Sequence, residues 1–367
     1  MELRISGTQL FWMIATMQVS MTILLTIKPA IMTAKQDSWI SILGATLIGM
    51  FIAFVCTRIN REYPGQTLVT YLPKIVGNWL GRFIIFIYGA FWYIVLAMVL
   101  RQYSDFIVST ILPRTPIMIP VFAMLLAAVY VTRIGIEGIA RCSQILGPFL
   151  LIIITLTLLL SIRDIQLKRV LPFYVDSGWN VILQGALPTA TFQGDCILLL
   201  ILLAFISNPD QGTKPAVFGV ALVGLLTCAA TFVIVTVFGD NMAAAQTYPY
   251  FNLVRYISIY NFFQNLDAFL IPIWIIGVFM KVSLYFFVCT YGTAQVFKVT
   301  KWQRMLWVVV PIILLLSMVP RNYYDSSLFF PQKIAVPFLF PIHMLGVPLL
   351  LWIISWLKNK KKRTTHP

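Results

Sequence analysis

Ten long, nearly uninterrupted apolar runs dominate this chain, at roughly 8–30, 38–57, 83–105, 116–131, 139–161, 181–206, 216–238, 268–297, 302–320 and 336–357. A helix needs about 20 mostly apolar residues to cross the hydrocarbon core of a bilayer. Runs of this number and length leave few soluble folds open. The 367 residues are 60% hydrophobic and only 11% charged, too little charge to cover a water-soluble surface. In lipid every backbone polar group must be paired internally, so a spanning segment is a helix or part of a closed barrel. The runs are long and continuous rather than short and alternating, which predicts helices. The expected fold class is therefore an all-α polytopic membrane protein of about ten transmembrane helices, a single transmembrane domain over residues 1–367. The first run is too long for the apolar part of a signal peptide and lacks a small-residue cleavage pattern, so it is expected to remain as span one.

The net charge of +15 does not point to nucleic acid here, because the basic residues sit between apolar runs. If both termini face the cytoplasm, 16 of the 27 Lys and Arg residues fall in inside segments, 10 fall outside, and Lys281 lies within a span. That bias favours termini inside. It is blunted by Arg163, Lys168 and Arg169 in the external 162–180 loop. The tail 358–367, with Lys358, Lys360, Lys361, Lys362 and Arg363, reads as a cytoplasmic anchor near anionic lipid headgroups. The 58–82 connection, with Pro64, Gly65, Pro73 and Gly81, reads as irregular. The 239–267 segment carries Tyr248, Tyr250, Phe251, Tyr256, Tyr260, Phe262 and Phe263. It is expected to hold a short interfacial helix, serving as an anchor or as a lid over a site. Five cysteines without C-x-x-C spacing and two histidines argue against disulfides and metal. No cofactor motif and no nucleophile–base arrangement is present, so no catalysis is expected. Glu137 and Arg141, four apart, read as an i,i+4 pair of structural use, with a partner-docking surface as the alternative.

Polar and helix-breaking residues inside spans are costly and mark candidate sites. Span one carries Gln18-Val19-Ser20-Met21-Thr22 near its middle. Span six carries Pro188-Thr189-Ala190-Thr191-Phe192-Gln193-Gly194-Asp195. Interruptions at matching positions of two five-helix halves, about 8–161 and 181–357, fit an inverted repeat with broken helices one and six and a site at the midplane. The competing reading is that Ser20, Thr22, Thr189 and Thr191 bond back to their own helices and only bend them. In span eight Gly277, Lys281 and Tyr285 recur every four residues and share a face. Lys281 lies too deep to reach the interface easily and needs a partner, for which Asp195 is the candidate. The expected pocket sets Ser20, Met21 and Thr22 against Thr191, Phe192, Gln193 and Gly194, with Asp195, Lys281, Tyr285 and Trp92 around it. Partial charges of both signs at broken helices suit a small zwitterion such as an amino acid.

With those residues in view, the chain resembles the B subunits of bacterial spore germinant receptors (the GerAB-like family), a branch of the amino acid–polyamine–organocation transporter superfamily. The resemblance rests on Ile5-Ser6 with Gln9-Leu10-Phe11, on Gln36-Asp37-Ser38-Trp39-Ile40-Ser41, and on Leu112-Pro113-Arg114-Thr115-Pro116. It continues through Gly135–Arg141, Phe192-Gln193-Gly194-Asp195, and Gly277 to Tyr285. Two features depart from the family pattern. Val19-Ser20-Met21-Thr22-Ile23-Leu24 stands where the family reads Ile-Gly-x-Gly-Ile-Leu, and Asp195 stands where Glu is common. The resemblance implies a LeuT/APC-like fold and a nutrient-sensing subunit in the inner membrane of the spore. It also implies a larger A subunit and a lipoprotein C subunit as partners. The alternative is a proton- or sodium-coupled amino acid transporter.

Overall fold

The computed structural model describes residues 4–174, 178–257 and 267–364. Span one consists of α1 (Gly7–Leu25) and α2 (Ile27–Ala34). Ser6 starts it as a capping box: its hydroxyl accepts the Gln9 N–H at 3.2 Å while Gln9 Oε1 accepts the Ser6 N–H at 2.9 Å. Span two is α3 (Ser38–Glu62). A short helix, α4 (Leu68–Val76), precedes span three, α5 (Asn78–Thr110). Spans four and five are α6 (Met118–Ile134) and α7 (Ile136–Leu160). Span six is α8 (Gly178–Gln193), a tighter 3-10 stretch (Gly194–Leu198), α9 (Leu199–Leu202) and a last 3-10 turn (Leu203–Phe205). Span seven is α10 (Thr213–Phe238), followed by the short α11 (Asp240–Ala245) and α12 (Pro249–Tyr256). Spans eight and nine are α13 (Asp267–Val296) and α14 (Leu306–Ser317). Span ten is a wide helix (Tyr324–Gly346) that narrows into α15 (Val347–Thr364). Among the described residues, eight segments are long and apolar enough to cross a membrane, and the shorter Met118–Ile134 and Trp302–Ser317 bring the apolar helices to the expected ten.

Spans one and six sit at the centre. Their apolar windows are 78% and 83% buried, against 28% for span five. α1 packs on α7, α10 and α13, and α3 packs on α8 and α10. The span-one interruption is not where the polar residues predicted it. α1 is regular through Gln18–Thr22, and the Thr22 hydroxyl donates to the Gln18 carbonyl at 2.7 Å. The back-bonding reading therefore holds for Thr22. The break falls at Thr26. In span six, Pro188 is absorbed inside α8, and the change of winding begins at Gly194.

Two segments also differ from expectation. The 58–82 segment contains α4, whose Leu68, Tyr71, Leu72 and Ile75 form a buried stripe at helical spacing. The proline and glycine residues in that segment obscure the stripe in the sequence. Span ten begins at Tyr324, about a dozen residues before its apolar run suggested. The 162–180 loop is clamped to the bundle, with Arg169 donating to the Val237 carbonyl and both Asp37 oxygens accepting the Tyr174 N–H at 3.1 Å. α12 is the expected short helix after span seven. Its neighbour Tyr248 and its own Phe251 are buried edge-on against Phe106, at 5.0 and 5.3 Å, rather than spread along an interface. Tyr260, Phe262 and Phe263 lie outside the described residues.

The wide winding of span ten has a chemical consequence. Its hydrogen bonds run i→i+5, and the Val347 N–H reaches the Ile342 carbonyl. Pro331 and Pro348 have no N–H to offer. In this register Pro331 leaves the Ser326 carbonyl without a donor of its own. Where the winding narrows into α15, the Val347 N–H is taken by Ile342 and Pro348 offers none, which leaves the His343 carbonyl likewise. α5 supplies both: Gln102 Nε2 donates to the Ser326 carbonyl and the Tyr88 hydroxyl to the His343 carbonyl, each at 2.8 Å. Spans three and ten are thus fastened at two levels, and the space between those levels stays open.

Candidate functional site

The site starts from span eight. At the Gly277 position a Cβ would stand 1.7 Å from Ser20 Oγ, so only glycine lets α13 approach α1 this closely. Trp274, three residues earlier, donates its indole N–H to the Ser20 carbonyl at 3.0 Å. One turn beyond Gly277, Lys281 is fully buried, and its Nζ lies 2.5 Å from Asp195 Oδ2. A further turn on, the Tyr285 hydroxyl donates to Asp195 Oδ1 at 2.5 Å. The four-residue repeat read from the sequence therefore aims one helix face first at span one and then at the break in span six. Asp195 stands on the 3-10 stretch, just past Gly194. That change of winding frees the Gln193 carbonyl, which accepts the Gln18 side-chain N–H at 2.7 Å.

An ion pair with side chains 1% and 6% exposed is stable only when the remaining lone pairs and protons are also satisfied. Tyr285 meets that need for Asp195. On its other side the Lys281 ammonium lies 5.2 Å from the centre of the Phe192 ring, a cation–π contact.

Asp195 and Lys281 both line one cavity, together with Thr191 and Phe192 of span six. α5 contributes Phe91, Val95, Met98, Val99 and Gln102. Span ten contributes Phe330, Pro331, Ala335 and Met344. The cavity is small, about 30 Å³, and mostly apolar with polar groups at one end, so a ligand the size of an amino acid enters it only as its walls part. Gln102 closes the end nearer the start of span ten. Beyond it Arg101 Nε donates to Asp105 Oδ1 at 3.0 Å, and the Ser326 hydroxyl donates to Asp105 Oδ2 at 2.7 Å.

Several expected pocket residues stand elsewhere. Ser20 lines a separate small cavity with Val19, Ile23, Leu150, Ile154, Tyr250 and Trp274. Met21 and Thr22 are fully buried in the regular part of α1 and line neither cavity. Gln193 faces span two: a Cβ on Gly49 would meet its Oε1 at 2.6 Å. Gly194 is covered by Met344. Trp92 packs edge-on against Tyr88 at 5.6 Å, beside the α5 stripe that faces the cavity. Thr191 lines the cavity while its hydroxyl bonds back to the Leu187 carbonyl at 2.8 Å. The Glu137–Arg141 pair is loose, at 3.6 Å, and Glu137 Oε1 instead accepts the backbone N–H of Arg4 at 3.0 Å. Gln102, Ala335 and Met344 were missed. No sequence signal marks an apolar residue as cavity-facing, although the prolines of span ten point to carbonyls in need of outside donors.

A ten-span bundle with broken spans one and six around a buried carboxylate defines a multi-pass membrane protein of the inverted-repeat transporter fold. It is similar to Mhp1, a nucleobase-cation-symport-1 family transporter solved closed with bromovinylhydantoin bound, with a TM-score of 0.64, 14% identity, and 86% of this chain and 72% of that chain covered. It is also similar to MhsT solved in complex with L-phenylalanine, with a TM-score of 0.63, 15% identity, and 97% and 89% covered. Within that fold, the chain belongs to the spore germination protein family, which matches residues 4–326. Curated relatives agree. Spore germination protein KB of Bacillus subtilis (strain 168) is 26% identical over 98% of this chain and 97% of its own length. Spore germination protein YndE of the same strain is 25% identical over 90% of both, and spore germination protein XB of Bacillus anthracis is 25% identical over 89% and 91%.

Proposed function

We propose that this protein is the nutrient-sensing membrane subunit of a spore germinant receptor, and that it reads its ligand in the cavity lined by Asp195 and Lys281. The observation that carries this is a buried ion pair with both members on one cavity, in a family that acts in spore germination. A small zwitterion with an apolar side chain suits a site with one carboxylate and one ammonium at one end and apolar walls at the other. Ser20, Met21, Thr22, Gln193, Gly194 and Trp92 then serve the site by holding spans one, three and six in place; Thr191, Phe192, Asp195 and Lys281 line it, and Tyr285, which does not reach the lining, holds Asp195 from behind. The chain works as one transmembrane unit of two half-repeats, about 8–161 and 181–357, and catalyses no reaction. Its partners are an A subunit and a lipoprotein C subunit, and its place is the inner membrane of the spore with both termini in the cytoplasm. The basic bias supports that orientation. Two of the cations counted as external are internally neutralised or capped: Arg101 by Asp105 and Arg169 by the Val237 carbonyl.

The fold shared with solved transporters favours a second reading, a cation-coupled amino acid carrier. Vesicles containing the purified full-length chain separate the two. A sensor binds a nutrient without saturable uptake, whereas uptake driven by a proton or sodium gradient would favour the carrier.

A further inference from the structure

The polar end of the cavity fixes charge, but it cannot grade a ligand by size. Asp195 is held by Lys281 and Tyr285, and the Thr191 hydroxyl is bonded to its own helix. Grading falls to the apolar walls. The α5 wall is a regular stripe fastened at both levels. The opposite wall is the wide helix of span ten, whose buried positions Ser326, Phe330, Ala335, Phe340 and Met344, with Ser327, Pro331 and His343 beside them, recur every four or five residues. An α-helix could not keep residues at that spacing on one face, because its turn takes 3.6 residues. The i→i+5 winding keeps them aligned, and it brings Ala335 and Met344 to the same cavity as Asp195.

We infer that span ten sets the selectivity of this subunit, with Ala335 and Met344 as the size-determining positions. This rests on the cavity being the ligand site. Ala335 has the smallest side chain on the lining, so any larger residue there takes space from the ligand. Met344 is unbranched and adaptable. Its Sδ lies 2.4 Å from where a Cβ on Gly194 would stand, so it touches the turn that carries Asp195. A longer ligand side chain must therefore displace Met344, and the turn feels the displacement. Span one, whose Met21 was expected in the pocket, has no part in this wall.

The test uses spores carrying the complete receptor, with germination scored as dose–response curves to glycine, L-alanine, L-valine, L-leucine and L-phenylalanine at matched membrane levels of each variant. Ala335→Leu should lose the larger amino acids by 10-fold or more and keep the smaller ones. Met344→Ala should shift preference towards larger ones. One methylene in an apolar pocket changes fit by roughly 10–200-fold. Ile334→Ala, on the exposed side of the same helix, should leave the ranking as in wild type. If Ala335→Leu or Met344→Ala fails to accumulate, Ala335→Gly and Met344→Val replace it; each removes volume from the wall, so each should shift preference towards larger amino acids. An unchanged ranking in accumulated variants at both positions, or uniform loss of every response, overturns the inference. Asp195→Asn and Lys281→Met run alongside. If they abolish the response while the span-ten variants change nothing, only the selectivity inference fails. If they too leave every curve unchanged, or if wild type answers no member of the panel, the cavity reading fails and takes the inference with it.

Discussion

Lys281 has no exposed surface in a bundle solvated by lipid, and the residues around it are arranged to make that tolerable. Removing one partner of a buried pair leaves the other charge uncompensated, at a cost of about 3–5 kcal/mol. Lys281→Met and Asp195→Asn should therefore lower the amount of folded protein in the membrane, and the Asp195→Lys, Lys281→Asp exchange should recover part of it. Immunoblots of membrane fractions check this; equal levels in all three would show that the pair is not structurally coupled. Tyr285→Phe takes one donor from Asp195 and should cost less, about 1–3 kcal/mol. At Gly277, alanine would drive its Cβ into Ser20, so Gly277→Ala should reduce folded protein, and adding Ser20→Ala should recover part of the loss. A full level in Gly277→Ala alone would show that α1 and α13 are not closely packed there. These residues were legible in the sequence because a charge in a span is rare and because a four-residue repeat fixes a helix face. Met21 and Gln193 were misplaced for a related reason. Polarity and position within a run do not say which way a side chain points once every face of a helix is buried.

Span ten shows what a hydropathy profile leaves out. Its first dozen residues include Pro331 and Lys333, so the apolar run begins late although the helix has already begun. The profile cannot register that prolines strand carbonyls and that another helix must then supply donors. Gln102→Leu should destabilise by about 1–3 kcal/mol through the buried Ser326 carbonyl it leaves unpaired. Pro331→Ala restores an N–H in the right register, so it should reduce the harm of Gln102→Leu when the two are combined. Thermal unfolding of purified protein in detergent measures both, and strictly additive losses would contradict the assignment. α4 was missed for the opposite reason, since its prolines and glycines read as irregular while its four-residue stripe is too short to stand out. At the other end, Lys358 donates to the Ile75 carbonyl at 2.7 Å, where α4 terminates. The first lysine of the basic tail is therefore a helix cap; the side chains of the later tail residues lie outside the described set.

For the whole molecule, ten spans and a central broken pair were legible because lipid permits so few folds, whereas the cavity was only half legible because two of its walls are apolar. The proposed orientation rests on the charge bias and is open to direct test. Arg114→Cys should be labelled by an impermeant thiol reagent added outside intact cells, and Asp210→Cys only after the membrane is opened. The reverse pattern would invert the whole assignment. The central claim, that a nutrient is read beside the Asp195–Lys281 pair, is tested most directly by equilibrium binding of the amino acid panel to purified full-length protein, comparing wild type with folded Lys281→Met. Saturable binding by wild type that falls at least 10-fold in Lys281→Met is the result this account predicts. Equal affinity in the two proteins would contradict it.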